Sequence, residues 1–419
     1  MRVLVLGSGA REHALTWGIA KNPSIDKMFA APGNAGLAQL AECVSLDVND
    51  PDAVAEFAEA QGIDLTVIGP EAPLVSGVAD EFLTRGLPVF GPTRAGARIE
   101  SSKSWAKSLM ERADVPTALS GTFTNVVEAL TFVASMAPPY VVKADGLAAG
   151  KGVMICATQD EAAHAIRACL VDRAFGEAGS TIVVEEFLEG EELSVFCLTD
   201  GRHVLPLVEA RDFKRAYDGD SGPNTGGMGA FSPVPASDAG DLATTVFRPV
   251  VRALEEEGIR YVGVLYAGLM LTAEGPKVLE FNARFGDPET QVVIPRLESD
   301  LAEMLLACAE GNLGVYAPRW SKDACVGVVL ASKDYPESSP LGLPIRGLDG
   351  VRDAVVFHAG TKLEGATPVT SGGRVLTVSA LGSTIAEARG RAYDAAARIT
   401  FDGVRMRNDI AAVAAQREG

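Results

Sequence analysis

The segment KADGLAAGKGV, residues 143–153, decides the fold class of this 419-residue chain. The apolar run Tyr140–Lys143 predicts a strand that ends in a lysine, a glycine-rich loop follows, and a second strand is predicted at Val153–Ile155. Glycine lets the backbone approach phosphate oxygens closely, and lysine supplies positive charge for the same oxygens. The segment therefore predicts a phosphate-binding loop between two strands, and a flexible hairpin with solvated lysines is the alternative.

The loop differs from the P-loop of many nucleotide-binding proteins. Only three residues separate Gly146 from Gly150, and Gly152 stands where the P-loop has the Ser or Thr that coordinates magnesium. A strand also follows the loop here, whereas a helix follows a P-loop. Lys143 and Lys151 are therefore candidate phosphate contacts of another fold class.

Toward the N-terminus, apolar runs alternate with helical patterns. Residues Pro51–Gln61 predict a helix, with Asp50 as its N-cap and Pro51 in the first turn. This βαβ alternation predicts an open, doubly wound parallel sheet. Its predicted strands are Val3–Leu6, Met28–Ala30, Leu65–Ile68 and Val89–Phe90.

Three loops follow strands of this predicted sheet and should face one crevice. The loop GSGAREH, residues 7–13, places backbone N–H groups and a helix dipole where an anion would bind. It lacks the third glycine of a dinucleotide fingerprint, because Glu12 stands in that place, and a tight turn without a ligand is the alternative. The loops PGNAG (32–36) and GPE (69–71) follow the next two strands.

An acidic turn between two apolar runs occupies residues 182–193, IVVEEFLEGEEL. A backbone segment of this kind can offer a carbonyl and an N–H to an adenine edge, with a carboxylate for ribose hydroxyls. A solvated acidic hairpin would show the same pattern.

Residues 211–229 are charged and rich in glycine over an unusual length. A stretch this long without regular structure is typical of a lid or of a disordered segment. We predict a lid that excludes water from a reactive intermediate.

A possible metal site lies in LEFNARFGDPE, residues 279–289. If the segment begins as a strand, Glu280, Asn282 and Arg284 point to one face while Leu279 and Phe281 point to the other. Two oxygen-bearing side chains two residues apart can hold Mg²⁺, which adds waters and substrate phosphates as ligands. A half-buried strand edge that faces solvent is the alternative.

Composition excludes several classes of partner. The net charge of −18 makes nucleic acid an unexpected partner, since the chain has no general attraction for phosphate backbones. The six cysteines include no CxxC pair, which predicts a reducing compartment, and the cytoplasm is the expected location. The N-terminus lacks a secretory pattern, and the weakly polar stretch Tyr261–Ala273 is too short to span a bilayer.

The chain divides into three predicted domains, 1–101, 102–319 and 320–419. The first is the doubly wound domain, and the second mixes short strands with few long helices, which predicts an α+β layout. The third is a small α+β domain, with strands at Cys325–Ala331 and Arg374–Ala380 and a helix at Thr384–Thr400. Further strands of the second domain are predicted at Ile182–Glu186, Leu193–Leu198, Val204–Leu207 and Lys277–Asn282, and its helices at Asp241–Glu257 and Glu298–Glu310.

Taken together, these segments resemble the ATP-grasp superfamily, and within it the phosphoribosylamine–glycine ligase family. The likeness covers nearly the whole chain, and motifs in this order are highly specific. They are GSGAREHAL (7–15), PGNAG (32–36), GPEAPLV (69–75), KADGLAAGKGV (143–153), EEFLEGEE (185–192), GPNTGGMGA (222–230), FNARFGDPETQ (281–291) and HAGTK (358–362).

The resemblance implies a fold and a reaction. The fold is an N-terminal doubly wound domain, a central ATP-grasp domain whose flap covers about 117–188, and a small C-terminal domain. The implied enzyme is a cytoplasmic ligase of purine biosynthesis, a monomer or a weak dimer. It phosphorylates the carboxylate of glycine with ATP, and the amine of 5-phosphoribosylamine then attacks the acyl phosphate.

The resemblance also implies roles for individual residues. Lys103 and Lys143 would contact ATP phosphates, Gly150, Lys151 and Gly152 would lie on the flap, and Lys143, Lys151 and Arg284 would be catalytic. Adenine would meet Glu185, Glu186, Phe187 and Leu188, ribose would meet Glu192, and Mg²⁺ or Mn²⁺ would bind Glu280 and Asn282. The substrate contacts would be Gly9, Arg11, Glu12, Gly33, Asn34, Pro70, Glu71, Asp212, Lys214, Asn224, Thr225, Gly226, Gly227, Asp287, Pro288 and Glu289.

The sequence departs from the family pattern at a few positions, and rival functions stay open. Ala10 stands where a glycine is expected, Phe213 replaces a common histidine, Ala283 a common cysteine and Ser371 a usual asparagine. None of these is a phosphate or metal contact. The rivals are another ATP-grasp ligase or carboxylase of purine metabolism, a nicotinamide-binding oxidoreductase suggested only by the N-terminal loop, and a nucleotide sensor without catalysis.

Overall fold

We describe a computed structural model of the chain, which covers residues 1–147, 152–235 and 242–418. Its strands are β1 (Arg2–Gly7), β2 (Lys27–Pro32), β3 (Glu42–Cys43), β4 (Leu65–Ile68), β5 (Val89–Phe90), β6 (Ser120–Phe123), β7 (Tyr140–Ala144), β8 (Val153–Cys156), β9 (Ile182–Glu186), β10 (Glu191–Asp200), β11 (Val204–Pro206), β12 (Arg211–Asp212), β13 (Arg215–Tyr217), β14 (Ser221–Asn224), β15 (Gly229–Ser232), β16 (Val262–Thr272), β17 (Gly275–Asn282), β18 (Ala324–Ala331), β19 (Val355–His358), β20 (Thr361–Glu364), β21 (Thr367–Thr370) and β22 (Arg374–Gly382).

The α-helices of the described residues are α1 (Ala10–Ile19), α2 (Pro51–Gln61), α3 (Glu71–Ser76), α4 (Val78–Arg85), α5 (Arg94–Ser101), α6 (Lys103–Arg112), α7 (Val126–Ala134), α8 (Gln159–Leu170), α9 (Arg248–Glu256), α10 (Thr290–Val293), α11 (Leu301–Glu310), α12 (Ile385–Ala396) and α13 (Ala412–Glu418). A π-helical turn at Ala243–Phe247 leads into α9. No helix in this part of the chain has the length and apolar character that crossing a membrane requires.

The N-terminal sheet is parallel, with strand order β3-β2-β1-β4-β5. Leu4 and Leu6 of β1 pack into one core while Val3 and Val5 pack into another, so both faces of the sheet are covered. This is the doubly wound sheet that the sequence predicts, with all of its predicted strands confirmed. The sequence analysis did not predict β3, because its two residues are exposed and do not form an apolar run.

Local chemistry explains where α2 begins and ends. The Asp50 carboxylate accepts a hydrogen bond from the N–H of Ala53 at 3.1 Å, and Pro51 occupies the first turn, as predicted. Gly62 ends the helix in the left-handed conformation, which favours glycine. Capping therefore fixes this helix between β3 and β4.

Two antiparallel sheets form the centre of the molecule. One has the order β6-β9-β7-β8 and packs α7 and α8 through a core that includes Val133, Val142 and Ile166. The other has the order β11-β10-β16-β17, and the predicted weakly polar stretch forms β16 near its middle. Because the chain passes directly from β9 to β10, the two sheets are joined at the acidic turn after Glu186.

The C-terminal sheet has the order β12-β15-β18-β22-β19 and recruits strands from the preceding region. The predicted lid segment, residues 211–229, contains β12 and the first residue of β15, so the expectation that it lacks regular structure is wrong, while its role as a lid stays a prediction. The segment also contains the β13–β14 hairpin, and every residue of β15 is buried. Its strands are too short to show a two-residue period, which is why the pattern did not reveal them.

Candidate active site

The side chain of Lys143 bridges the two central sheets. It is buried near the end of β7, and its Nζ donates a hydrogen bond to the carbonyl of Leu279 in β17 at 3.1 Å. Its second partner is Glu185 of β9, whose Oε2 lies 2.8 Å from the same nitrogen. The ammonium group is therefore fixed at the junction of the sheets, beside the residue that precedes Glu280.

A β-bulge in β17 sets the direction of Glu280 and Asn282. Glu280 and Val278 pair with consecutive residues of β16, so Leu279 between them has no partner there. A bulge of this kind re-aims side chains. The expectation that Leu279 shares the face of Phe281 is therefore wrong, since Val278 and Phe281 are the residues that enter the core.

The oxygens of Glu280 and Asn282 suit a hard cation. Across the described residues, neither side chain makes a hydrogen bond or an ion pair. The same residues contain no cluster of three or more His, Cys, Asp or Glu that could hold a metal. Mg²⁺ takes one or two protein oxygens and completes its shell with phosphate oxygens and water, so this pair fits its chemistry.

Lys103, the first residue of α6, lies in the same pocket. Its Nζ donates a hydrogen bond to the carbonyl of Gly146 at 3.2 Å. Burial lowers the pKa of Lys103, Glu280 opposes that shift, and Lys143 adds to it. Two cations and a carboxylate thus share a desolvated space, in which a polyanion with its own cation would be stabilised.

Lys107 is a member of this cluster that the sequence analysis missed. Its Nζ lies 3.1 Å from Oε1 of Glu185 and also contacts Thr117. Burial alone would raise the pKa of Glu185, but Lys143 and Lys107 together hold that pKa below its usual value. The spacing of Lys103 and Lys107, one helical turn apart on α6, is the pattern that could have revealed it.

The predicted adenine segment lies where the chain leaves one sheet for the other. Glu186 exchanges hydrogen bonds with Leu119, since its N–H donates to the Leu119 carbonyl at 3.0 Å and its Oε1 accepts the Leu119 N–H at 2.9 Å. Phe187 and buried Leu188 occupy the connection itself. The structure thus brings Glu185 to Leu188 next to Lys143, and their contacts with a base stay predictions.

An acidic pocket surrounds Lys214. Its Nζ lies 3.1 Å from Oδ1 of buried Asp212 and contacts the carboxylate of Glu192. Glu289 is buried close by and accepts a hydrogen bond from Ser194 Oγ at 3.1 Å. Lys214 therefore pairs with two carboxylates, and Glu289 lies close to one of them, Asp212. An acidic cluster of this kind suits a ligand that carries an ammonium group.

Replacing Asp212 by asparagine is expected to stabilise the ligand-free protein more at about pH 8.5 than at about pH 5.5. Burial raises the pKa of Asp212 from 3.8 to about 7, Lys214 opposes the shift, and Glu289 and Glu192 add to it. A carboxyl group with a raised pKa in the folded state holds its proton more tightly when folded. Stability therefore falls as the pH rises from the unfolded pKa to the folded one.

The neutral amide of Asp212→Asn removes this cost. Thermal unfolding of both proteins at the two pH values checks the prediction, and the midpoint of the variant relative to that of the wild type should be higher at about pH 8.5 than at about pH 5.5. A gain of equal size at both pH values, or none at the higher pH, would contradict it.

Arg284 is buried between carboxylates from the N-terminal region. Its Nη2 lies 3.0 Å from Oε1 of Glu100, and its Nε lies 3.6 Å from Oε2 of Glu71. Glu100 also accepts the N–H of Ala283 at 2.8 Å. No motif pointed to Glu100, which lies in α5, three residues before Lys103. Among the described residues, buried Arg284 Nε has no hydrogen-bond partner, although Glu71 lies at ion-pair distance, so this N–H could donate to an anion.

Arg374 of β22 connects the C-terminal sheet to this site. It donates hydrogen bonds to the carbonyl and to Oδ2 of Asp287, both at 2.9 Å, and to the carbonyl of Gly226. Left-handed Gly227 packs against Pro288, where a side chain would collide with the proline ring. Two predicted substrate segments are therefore held together by one arginine that the sequence analysis did not select.

The segment GPNTGG, residues 222–227, is shaped by the hydroxyl of Thr225. This hydroxyl donates to the carbonyl of Lys214 at 2.8 Å and accepts the N–H of Gly227 at 3.0 Å. Asn224 ends β14 beside it. The structure brings this segment next to Lys214, and the contacts of its residues with substrate stay predictions.

The residues of the N-terminal loops that were predicted to contact substrate mostly interact with other parts of the protein. The amide of Asn34 donates to the carbonyls of Ser8 and His358 at 2.8 and 2.7 Å, and its oxygen accepts two backbone N–H groups. Gly33 has a left-handed backbone next to Cys43. Pro70 caps α3, whose first residue is Glu71. Asn34 therefore ties the PGNAG loop to the C-terminal region.

One departure from the family pattern, Ala10, and the flap residue Gly152 lie within the described residues. Ala10 begins α1, where φ is negative, so its methyl group causes no backbone strain. Gly152 accepts the N–H of Ala144 at 2.8 Å and closes the base of the β7–β8 hairpin. The predicted contacts Gly150 and Lys151 lie outside the described residues.

Two joined antiparallel sheets, with lysines at their junction and an acid–amide pair on the neighbouring strand, define the chain as an ATP-grasp protein. Models of the phosphoribosylglycinamide synthetase family match the chain in order. The N domain matches residues 1–100, the ATP-grasp (A) domain 101–290 and the C domain 325–413. The chain therefore belongs to the phosphoribosylglycinamide synthetase family.

Individual relatives agree with this assignment. A phosphoribosylamine–glycine ligase of Streptomyces coelicolor is 51% identical over 424 residues, covering 99% of this chain and 100% of the relative. One of Vibrio vulnificus is 48% identical over 426 residues, covering 100% and 99%. The crystal structure of phosphoribosylamine–glycine ligase from Thermotoga maritima has a TM-score of 0.86 at 34% identity and covers 98% of this chain and 100% of that chain.

A more distant neighbour shares the fold alone. The biotin carboxylase domain of the 2-oxoglutarate carboxylase from Hydrogenobacter thermophilus, solved with MgADP and bicarbonate, has a TM-score of 0.75 at 18% identity. It covers 96% of this chain and 91% of that chain. At this identity the likeness supports the fold of the chain and carries no argument about its substrates.

Proposed function

We propose that the chain joins glycine to 5-phosphoribosylamine at the expense of ATP, and forms glycinamide ribonucleotide, ADP and phosphate in purine biosynthesis. The observation that carries the proposal is full-length identity of about half to phosphoribosylamine–glycine ligases, 51% over 99% of the chain in one case. The charged groups of the site supply the chemistry that this reaction needs.

The reaction needs an activated carboxylate, because oxide is a poor leaving group. A carboxylate oxygen of glycine attacks the γ-phosphorus of ATP, and the bond to the bridging oxygen of ADP breaks. The resulting glycyl phosphate is attacked at its carbonyl carbon by the amine of phosphoribosylamine. Phosphate leaves and an amide remains, so the protein mainly positions the reactants and neutralises charge.

We assign the triphosphate to the pocket of Lys103 and Lys143. Lys143 is anchored at the sheet junction by Leu279 and Glu185, so it presents its charge in a fixed position. Lys151 is proposed to add charge from the flap. Mg²⁺ on Glu280 and Asn282 would neutralise phosphate charge when bound, and Mn²⁺ is proposed as an alternative ion.

We assign the two other substrates to the neighbouring clusters. Glycine would place its ammonium group near the carboxylates of Asp212 and Glu289. Its carboxylate would then approach Arg284, whose Nε has no hydrogen-bond partner in the part of the chain that the structure describes. Phosphoribosylamine would lie between the N-terminal loops and the segment that begins at Asp287.

The remaining expectations are proposals of the same kind. Adenine would be read by the backbone from Glu185 to Leu188, and ribose by Glu192. The enzyme would act in the cytoplasm as a monomer or a weak dimer on small molecules, without nucleic acid.

ADP release by the purified chain tests the function. With MgATP, we expect full release only when glycine and freshly generated phosphoribosylamine are both present, and little when either is omitted. Release that depends on another carboxylic acid or on bicarbonate would indicate a different ATP-grasp enzyme. Binding of ATP without turnover under any of these conditions would indicate a nucleotide sensor.

A further inference from the structure

Glu12 is a buried carboxylate enclosed by glycines. Its residue is 1% exposed, although it lies in the loop that should offer backbone N–H groups to an anion. A methyl group built on Gly7 or on Gly69 would lie 2.5 Å from Cγ of Glu12, and one on Gly9 would lie 2.6 Å from its Oε2. These glycines belong to two different loops. In both loops, the absence of a side chain on the glycine leaves the space that the Glu12 side chain occupies.

The Glu12 carboxylate takes the bonds that a bound phosphate would otherwise take. Its Oε2 accepts the N–H of Gly9 at 2.6 Å, and its Oε1 accepts Nε of Arg11 at 2.6 Å. Because Glu12 is at the third position of α1, its negative charge also faces the positive end of the helix dipole. The anion position of the loop is therefore filled by the chain itself, which removes the basis for a dinucleotide ligand.

Arg11 links Glu12 to the segment that contains Arg284, because it bonds to both. While its Nε is held by Glu12, its Nη1 donates to the carbonyl of Phe285 at 3.2 Å. Burial would raise the pKa of Asp287, but Arg374 and then Arg11 lower it. Arg11 thus fixes the backbone between two proposed substrate-binding residues and helps to keep one of them ionised.

We infer that Glu12 is a positioning residue, which acts by holding Arg11 against Phe285 and so sets the place of Arg284 and Asp287 relative to the substrates. The inference rests on the proposed function, because it concerns the same reaction. It replaces a direct contact of Glu12 with substrate by an indirect role. It also gives the glycines of the GSG and GPE loops a reason that is independent of phosphate.

A double-mutant cycle between Glu12 and Gly69 tests the inference. The φ of Gly69 lies outside the left-handed region, so alanine suits its backbone, and the three atoms nearest to the added methyl group all belong to the Glu12 side chain. Gly69→Ala should displace the carboxylate and lower kcat about tenfold or more. In a Glu12→Ala background the same methyl group has free space, so adding Gly69→Ala should change kcat less than about twofold.

The kinetic constants separate positioning from a general loss of structure. For Glu12→Gln we expect a lower kcat and a higher KM for phosphoribosylamine, with an unchanged KM for MgATP, whose proposed pocket lies elsewhere. Glu59→Gln is the matched control, because it makes the same change in an exposed ion pair with Arg85 of the N-terminal region, and it should retain wild-type kinetics.

Two results would overturn the inference. One is a Gly69→Ala protein with wild-type kcat, or an equal loss in both backgrounds. The other is a Glu12→Gln protein in which the KM values of all substrates rise together. Thermal unfolding of the four proteins of the cycle provides a readout that does not need turnover, so an inactive wild-type chain would contradict the proposed function and leave the cycle interpretable.

Discussion

Replacing Glu280 by alanine is expected to abolish ligase turnover while the fold survives. Glu280 supplies the only carboxylate of the acid–amide pair, and its side chain makes no hydrogen bond or ion pair among the described residues. Removing the Glu280 side chain therefore deprives no described residue of a hydrogen bond or an ion pair. It takes away the charge that would hold the cation against the triphosphate, and losing one preorganised electrostatic group costs about 10²–10³ in kcat.

The measurement is ADP release together with thermal unfolding. Glu274→Ala is the matched control, because Glu274 is on the same β16–β17 hairpin with an exposed side chain that pairs with Lys277. The control should keep wild-type activity, and both variants should unfold close to the wild-type temperature. Near-normal turnover by Glu280→Ala would remove the metal assignment.

The parts of the site that could be predicted are those where one segment carries both the pattern and the chemistry. Lys143, Glu185 and Glu280 each lie in an apolar strand that is readable from composition, and the structure brings them to the junction of two sheets. Asp50 and Pro51 likewise fixed a helix start from local chemistry alone. In these cases the information is contained within a few neighbouring residues.

The parts that could not be predicted depend on residues far apart in the chain. Arg374 reaches Asp287 across 87 positions, and no local pattern marks an arginine at the start of a strand as a partner of a distant carboxylate. The bulge at Leu279 is set by pairing with β16, so a strict alternation misplaced that residue. β15 joins the C-terminal sheet by pairing with the distant strand β18, which is a tertiary effect that overrides weak local propensity.

The paired substitutions Lys143→Met and Lys107→Met should separate nucleotide binding from stability. Both lysines hold the buried carboxylate of Glu185, Lys143 at 2.8 Å and Lys107 at 3.1 Å. Either substitution leaves that carboxylate with one cation instead of two. We therefore expect both variants to lose about 1–3 kcal/mol of unfolding free energy, the scale for a weakened buried polar contact.

The two substitutions should differ in their effect on turnover. The reason is that the two lysines differ in the number of N–H groups that remain available to a phosphate. Lys107 donates hydrogen bonds to Thr117 and Ala118 and forms an ion pair with Glu185, so each of its three N–H groups has a protein oxygen nearby. Lys143 contacts only Leu279 and Glu185 among the described residues, so one of its N–H groups remains for the triphosphate. We expect Lys143→Met to lower kcat/KM for MgATP by about a hundredfold or more and Lys107→Met by less than about tenfold. Equal losses in kcat/KM would show that both lysines act only through Glu185, and the triphosphate would then have to bind elsewhere.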